Sequence, residues 1–260
     1  MTRTAIIAGS GALPTLLAAA LDQPVYVTLD DSLVPTGLDH IPARIEKLGR
    51  LFKDLHARDV TSVAFAGAMA RPKVNPVLLD RHALRLAMSM GKGDDALLRE
   101  VLAVFSDQGF TIKSAVDICP DLVLPQGALW GAKPSKQDMQ DIQRALDILG
   151  VLAPHDVGQG AVCAGGMMLG IETLQGTDSM LSYVASTPEH LRRSKGVFVK
   201  TPKHGQDLRI DMPTIGPDTI ESVINAGLAG LAIPAGQVIV LDRAVVKSRI
   251  QEAGLFLKAL

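Results

Sequence analysis

The segment from Lys200 to Pro213 carries the side chains best suited to chemistry on a phosphorylated substrate. Asp207, Arg209 and Asp211 alternate in it with apolar residues, and this alternation predicts a strand with its three charges on one face. Arginine can bind a phosphate through two parallel hydrogen bonds, and a carboxylate can orient water or hold Mg²⁺. On a strand the two aspartates lie ~13 Å apart, too far to bind one ion together unless the strand bends.

Two lysines and a glutamine lie close to these charges in the sequence. Lys200 and Lys203 add the positive charge that a diphosphate requires, and Gln206 is a candidate to bind the same ligand. The segment is therefore typical of a pyrophosphate site. The alternative is an exposed edge strand whose charges oppose aggregation.

A glycine-containing turn follows the first predicted strand. Its small residues let the backbone approach a phosphate, and the next helix begins there with unpaired N–H donors. The third glycine of the dinucleotide fingerprint is missing, although Asp30 and Asp31 have the spacing of a ribose-binding carboxylate. We predict a nucleotide or diphosphate loop, with an NAD site and a purely structural turn as alternatives. The candidate binding residues are Gly9, Ser10, Gly11 and Leu13.

Two other segments place polar residues at predicted helix starts. The residues after Gly93 either form a solvated helix cap or line a substrate cleft. The Gly-Thr-Asp sequence at 176–178 either caps a helix or holds phosphate oxygens, and Gln159 leads into an earlier strand. The candidate substrate-binding residues are Asp94, Asp95, Gln159, Thr177 and Asp178.

Composition restricts the class of protein. The 260 residues are 47% hydrophobic, as in a packed globular chain, and 26 Lys and Arg balance 27 Asp and Glu, which argues against nucleic-acid binding. Two cysteines far apart predict neither a disulfide framework nor a zinc site. The apolar stretch 227–241 is shorter than the ~20 residues of a membrane span, so we expect a cytoplasmic protein.

The first half of the chain alternates short apolar runs with helical patterns, which predicts a parallel sheet with helical crossovers. The predicted strands are Ala5–Ala8, Val25–Leu29, Val63–Ala66 and Thr111–Ile118, and the predicted helices are Pro14–Leu21, Ile45–Arg58, Asp80–Met90 and Ala96–Gln108. Met88, Met90, Met167 and Met168 are expected to fill core space.

The second half has a different pattern. A helix capped by Ser135 and Asp138 is predicted to end before Gly150. The remaining predicted elements are a hairpin over 161–171 that turns at Gly165 and Gly166, a strand pair at 196–200 and 207–212, a helix over 217–226, a strand over 238–241, and a last helix that Asp242 caps and that runs to about Ala253. We therefore predict an α/β chain: a Rossmann-like parallel-sheet domain (1–125), a linker (126–134) and a mixed α/β domain (135–260).

Taken in order, the motifs resemble the LpxI family of UDP-2,3-diacylglucosamine pyrophosphatases over nearly the whole chain. The matching segments are 7–14, Ala66-Gly67 with Arg71-Pro72, 93–99, Gly158-Gln159, Glu172 with 176–178, 206–217 and 227–230. The resemblance implies Mg²⁺-dependent hydrolysis of the substrate diphosphate, giving UMP and 2,3-diacylglucosamine 1-phosphate for lipid A. It also implies that the essential aspartate is Asp211 or Asp207, with Asp211 as the metal ligand.

The resemblance further implies two domains with a glycolipid nucleotide held between them. Such an amphipathic substrate calls for an apolar groove and transient contact with the inner-membrane surface. A homodimer is left open. The alternatives are a non-catalytic regulator that binds nucleotide sugars and another nucleotide-sugar hydrolase or transferase.

Overall fold

The computed structural model describes residues 3–29, 34–69, 74–91, 94–203 and 205–260, without the side chains of Asp94 and Asp95. These residues form two compact units. Unit 1 comprises Met1–Pro120 and Asp207–Asp211, and unit 2 comprises Asp121–Gln206 and Met212–Leu260. Both units combine helices with a sheet, which confirms the predicted α/β fold class.

Unit 1 is built on a parallel sheet. Its strands are β1 (Arg3–Ala8), β2 (Val25–Thr28), β3 (Asp39–Pro42), β4 (Val60–Ala66) and β5 (Thr111–Lys113), and its helices are α1 (Leu13–Ala19), α2 (Leu48–His56), α3 (Arg81–Ala87), α4 (Asp94–Asp107) and α5 (Ala115–Ile118), with 3₁₀ turns at Ile45–Lys47 and Pro76–Leu78. The strand order β3-β2-β1-β4-β5 is Rossmann-like. In such sheets ligands bind beyond the carboxyl ends of the strands where the order reverses, which here are β1 and β4.

The predicted strand 111–118 is wrong beyond Lys113. Ser114 accepts a hydrogen bond from the Asp117 N–H at 3.0 Å, and the Asp117 carboxylate accepts one from the Ser114 N–H at 2.8 Å. This capping box starts α5 and ends the strand despite the apolar sequence. The strand β3, with polar Asp39 and His40, was not predicted.

Unit 2 contains a mixed sheet. Its strands are β6 (Leu129–Gly131), β7 (Gly160–Ala164), β8 (Met167–Ile171), β9 (Val197–Lys200), β10 (Thr214–Ile215), β11 (Gly230–Ile233), β12 (Ile239–Val240) and β13 (Phe256–Ala259), and its helices are α6 (Lys136–Leu152), α7 (Gly176–Ala185), α8 (Pro217–Asn225) and α9 (Arg243–Glu252), with 3₁₀ turns at Pro120–Leu122, Ala153–His155 and Glu189–Leu191. The order is β6-β13-β11-β9-β7-β8, and β10 pairs separately with β12. The predicted linker thus contains β6, which pairs antiparallel with β13.

Helices cover both faces of the unit 2 sheet. On one face α6 contributes Ile142, Ala145 and Leu149 to a core with β7 and β9, and on the other α7, α8 and α9 pack over β11 and β13. The hairpin β7–β8 turns at Gly165 and Gly166, as predicted, and both glycines have positive φ. No helix in the described part of the chain is long and apolar enough to cross a membrane.

Two local predictions in these elements are wrong. Helix α6 continues through Gly150 to Leu152 because one helical glycine costs only ~1 kcal/mol relative to alanine, and Pro154 follows the actual end. Met88 and Met167 are exposed rather than core residues.

Candidate active site

The segment Asp207–Asp211 is a helical turn of unit 1, so the predicted strand is wrong here. The N–H groups of Ile210 and Asp211 both donate to the Asp207 carbonyl oxygen at 3.1 Å. The Asp207 side chain accepts from the Arg209 N–H at 3.0 Å, so it caps the turn. Asp207 and Asp211 are therefore one helical turn apart, where Cβ atoms lie ~5–6 Å apart, instead of ~13 Å apart on a strand.

Arg209 is exposed, but its charge is paired with that of Asp207. Its Nε donates to Oδ1 at 3.0 Å and its Nη2 to Oδ2 at 2.6 Å. The hydrogen bond from Arg209 lowers the pKa of Asp207, and the positive charge of Arg99 on α4 acts in the same direction. Asp207 is thus held ionised, and Asp211 is an exposed carboxylate at the end of the turn.

An apolar cavity of about 430 Å³ borders this turn within unit 1. Ile210 packs against the unit 1 core, and both Ile210 and Asp211 line the cavity. The other walls come from the end of β4 and from α3 and α4, and they include Phe65, Gly67, Leu86, Met90, Leu97 and Val101. The volume lies within the ~300–1,000 Å³ of small-molecule sites. A carboxylate therefore stands at the edge of a space suited to an apolar group.

The glycine turn after β1 is locked to the turn after β4. The N–H groups of Gly9 and Ser10 donate to the carbonyls of Ala66 and Ala68, both at 2.8 Å. A Cβ on Gly9 would stand 2.5 Å from the Ala68 oxygen, so this glycine is needed for close approach. The first two predicted N–H donors are thus used within the protein, and phosphate binding at Gly11 and Leu13 stays a prediction. Asp30 and Asp31, which have the spacing of a ribose-binding carboxylate, lie outside the described residues.

In unit 2 a buried chain of polar groups joins Lys200, Thr177 and Glu172. Lys200 ends β9, and its Nζ donates to Thr177 Oγ1 at 2.7 Å, whose hydroxyl donates in turn to Glu172 Oε2 at 2.9 Å. Both charged side chains are only 6% exposed. Burial lowers the pKa of Lys200, while the negative charges of Glu172 and Asp178 oppose that shift. Thr177 therefore bridges two charges and does not cap α7, whose cap position is Gln175.

Glu172 fits here because two of the residues that face it, Gly158 and Gly160, have no side chain. A Cβ on Gly158 would stand 1.9 Å from the Glu172 carbonyl oxygen, and one on Gly160 would stand 2.4 Å from Oε2. Between them, Gln159 Oε1 is buried without a hydrogen-bond partner among the described residues. Because a buried acceptor left unpaired costs ~1–3 kcal/mol, this oxygen is a candidate acceptor for a donor from a ligand or from water.

The other predicted binding residues do not join the polar chain of Lys200, Thr177 and Glu172 in the contacts described. Lys203 pairs with Asp156 at 2.7 Å, and its backbone N–H donates to Gln206 Oε1 at 2.8 Å, which orders the loop after β9. Asp178 is exposed at the start of α7. Helix α4 begins at Asp94, but the side chains of Asp94 and Asp95 lie outside the described part of the chain.

The donor set fits a metal only if the ligand supplies part of its coordination. Among the described residues no group of three His, Cys, Asp or Glu side chains could hold an ion. Mg²⁺, however, is commonly bound by one or two carboxylates together with substrate phosphates and water. Asp211 is exposed and is the candidate ligand, and Asp207 holds Arg209.

Sequence reasoning expected an apolar groove but did not say which residues form one. The cavity walls on α3 and α4 come from segments predicted only as helices. Glu172 was part of a motif but was given no role, although the glycines at 158 and 160 were a signal that some side chain approaches them.

The described residues form a two-unit α/β protein whose unit 1 combines a Rossmann-like sheet, an Asp–Arg pair and an apolar cavity. Family models of the LpxI N-terminal domain and the LpxI C-terminal domain match residues 3–122 and 125–258. The chain is 39% identical over 270 aligned positions to UDP-2,3-diacylglucosamine pyrophosphatase LpxI of Caulobacter vibrioides, covering 98% of this chain and 96% of that protein. The chain belongs to the LpxI family.

Proposed function

We propose that this chain hydrolyses the diphosphate bond of UDP-2,3-diacylglucosamine, giving UMP and 2,3-diacylglucosamine 1-phosphate for lipid A synthesis. Its family and its similarity to a pyrophosphatase of that name support the assignment. The structural observation that carries it is Asp211 at the edge of the apolar cavity of unit 1. A carboxylate beside an apolar space suits a substrate that joins a diphosphate to acyl chains.

In this proposal the cavity takes an acyl chain. Among the described residues its lining is apolar apart from Asp211 and backbone groups, so burying methylene groups there contributes ~0.8 kcal/mol each. A nucleotide sugar without acyl chains lacks this contribution. We therefore expect the acylated substrate to be selected mainly by binding in unit 1.

The polar groups handle the diphosphate and the sugar nucleotide. In unit 1, Arg209 supplies positive charge on the same turn as Asp211. In unit 2, Lys200 is a cation held in place by Thr177. Gln159 Oε1 accepts a hydrogen bond from a hydroxyl or N–H of the substrate, which gives the buried oxygen its missing partner. Asp211 orients the attacking water and accepts its proton.

A divalent cation, Mg²⁺, is the cofactor we propose, and Asp211 is the side chain that would hold it. When bound, such an ion neutralises the charge that develops on the phosphoryl oxygens. Arg209, held on the same turn as Asp211, contributes positive charge of its own. A homodimer and a cytoplasmic location stay predictions.

The test is release of UMP by the purified protein. With UDP-2,3-diacylglucosamine and Mg²⁺ we expect stoichiometric UMP and 2,3-diacylglucosamine 1-phosphate, and with UDP-N-acetylglucosamine a far lower rate. Addition of a chelator should stop the reaction, and Mg²⁺ should restore it. Equal rates on both nucleotide sugars would show a different hydrolase, and binding of the substrate without any UMP would show a non-catalytic binding protein.

A further inference from the structure

The walls of the unit 1 cavity run from buried residues to exposed ones. On β4 and the turn after it, Phe65 is 5% exposed and Met69 is 45% exposed. On α3, Ala83 is 2% exposed, whereas Ala87, one helical turn later, is half-buried. All four residues line the cavity. The cavity therefore has a closed end inside unit 1 and an open rim.

The closed end is part of the packed core. Phe65, Ala83 and Leu86 line the cavity and belong to one core cluster of unit 1. The Phe65 ring meets the Phe105 ring edge to face at 5.1 Å, and Phe105 meets Phe52 in the same way at 5.0 Å. Because close-packed rings lie behind Phe65, the closed end cannot retreat from a longer ligand without a loss of packing.

The polar part of the lining lies at the rim. Asp211 is exposed and borders the cavity, as do the exposed residues Ala68 and Met69. Apart from Asp211, the side chains of the described lining are apolar. A ligand with a polar head and an alkyl chain should therefore enter chain first and leave its head near Asp211.

Two of the side walls are joined to each other. Helices α3 and α4 both line the cavity, and Arg85 on α3 forms ion pairs with Glu100 and Asp107 on α4. None of these three charged residues lines the cavity, so the ion pairs join the helices outside it. A cavity with a packed closed end and joined walls has a fixed depth.

We propose that the closed end at Phe65, Ala83 and Leu86 sets the length of the acyl chain that the enzyme accepts. The inference rests on the proposed function, which places an acyl chain in this cavity, and it names the residues that determine chain-length specificity. Each methylene group that becomes buried improves binding about fourfold. Once the chain end touches the closed end, a further methylene group stays in water or forces the packed core apart, so the gain ends.

The test is UMP release by the full chain from UDP-2,3-diacylglucosamines whose acyl chains lengthen in steps of two carbons. For the wild type, kcat/KM should rise by up to ~15-fold a step and then level off or fall at one chain length, the break. Leu86→Ala deepens the cavity, so the break should move to longer chains. Ala87→Leu fills part of the cavity, so the break should move to shorter chains and the longest substrates should lose roughly tenfold or more.

Leu84→Ala is the matched control for Leu86→Ala. It removes the same atoms from the same helix, but Leu84 is 52% exposed and does not line the cavity. The break should stay at the wild-type chain length in this variant. Because loss of a buried leucine can unfold a protein, each variant is checked by thermal melting, and Ala87→Leu tests the proposal by itself if Leu86→Ala is not folded.

Binding of n-alkyl glucosides to the full chain tests the cavity without the reaction. These neutral probes carry one sugar and one alkyl chain, from hexyl to dodecyl, and calorimetry gives their affinity. We expect the affinity to rise with chain length up to a break. That break should move to longer chains in Leu86→Ala and to shorter chains in Ala87→Leu.

The outcomes separate the two proposals. A break that moves in opposite directions in the two cavity variants and stays in place in Leu84→Ala supports the assignment. If there is no break, if every chain length loses the same factor, or if the break moves as far in Leu84→Ala, the closed end does not set chain length, even if UMP is released normally. If no UMP is released but the glucoside break moves as expected, the closed end is supported and the proposed function is overturned.

Discussion

Arg209 holds both oxygens of the Asp207 carboxylate, from Nε at 3.0 Å and from Nη2 at 2.6 Å. The pair closes the turn whose last residue, Asp211, borders the apolar cavity. The two aspartates of the D-x-R-x-D sequence therefore have different tasks. Asp207 caps the turn and fixes Arg209, and the proposed function assigns the action on the substrate to Asp211.

We expect Asp207→Ala to raise KM more than it lowers kcat. Loss of the cap costs about 1 kcal/mol and loosens the turn that carries Arg209 and Asp211. Asp207→Ser can still cap the turn, so its KM should lie between those of the wild type and of Asp207→Ala. Steady-state kinetics on both variants measure this. The division of roles is contradicted if Asp207→Ala loses as much kcat as Asp211→Ala and the KM of Asp207→Ser is as high as that of Asp207→Ala.

The buried Lys200 and Glu172 should depend on each other for stability. Lys200→Met leaves Glu172 buried without its cation, and we expect a loss of about 3 kcal/mol, the low end for a broken buried ion pair because Thr177 lies between them. Adding Glu172→Gln to Lys200→Met should restore part of the lost free energy of unfolding, measured in urea. The exposed Lys195→Met is the control. Additive effects of the two substitutions would show that the charges are not coupled.

Asp141 should be the carboxylate on which the β7–β8 hairpin depends. It is fully buried on α6 and accepts hydrogen bonds from the N–H groups of Gly165 and Gly166 at 2.8 and 2.7 Å. Asp141→Ala leaves these donors unpaired, and we expect a loss of about 3 kcal/mol in the free energy of unfolding. Asp147→Ala, an exposed change on the same helix, should cost under about 0.5 kcal/mol. Equal losses would mean that the turn does not need the carboxylate.

Stability should fall as pH rises above about 9 because of Cys163. Burial, with the nearby negative charge of Asp141, raises the pKa of this thiol from 9.0 to about 12. Between those values the unfolded chain releases the proton and the folded chain keeps it, so unfolding becomes easier by up to ~1.4 kcal/mol per pH unit. Urea unfolding of the wild type and Cys163→Ala from pH 8 to 10.5 measures the difference. Parallel curves would show that the thiol does not titrate in this way.

Much of the fold was predictable from local patterns. Continuous apolar runs gave β1, β2 and β4, the glycine pair gave the β7–β8 turn, and Ser135 with Asp138 gave the start of α6. The same Ser-x-x-Asp pattern at Ser114 was overlooked, so a strand was extended through α5.

The candidate site was harder because its geometry depends on distant contacts. Alternation at 207–212 indicates a strand, but Ile210 packs against the unit 1 core and Asp207 caps a turn there. The cavity is a volume left between helices, which no single segment encodes. Likewise, burial of Glu172 depends on the missing side chains of Gly158 and Gly160, which lie on a different segment of the sequence.

The central claim is that Asp211 acts in hydrolysis of the diphosphate, and kcat of Asp211→Asn measures it most directly. The substitution keeps the shape of the side chain and removes its charge and basicity, so UMP release from UDP-2,3-diacylglucosamine should fall by at least ~10²-fold in kcat. Substrate binding should persist, and Asp218→Asn, an exposed change on α8, should behave as the wild type. A kcat for Asp211→Asn above about a tenth of the wild-type value, well short of that ~10²-fold loss, would contradict the claim.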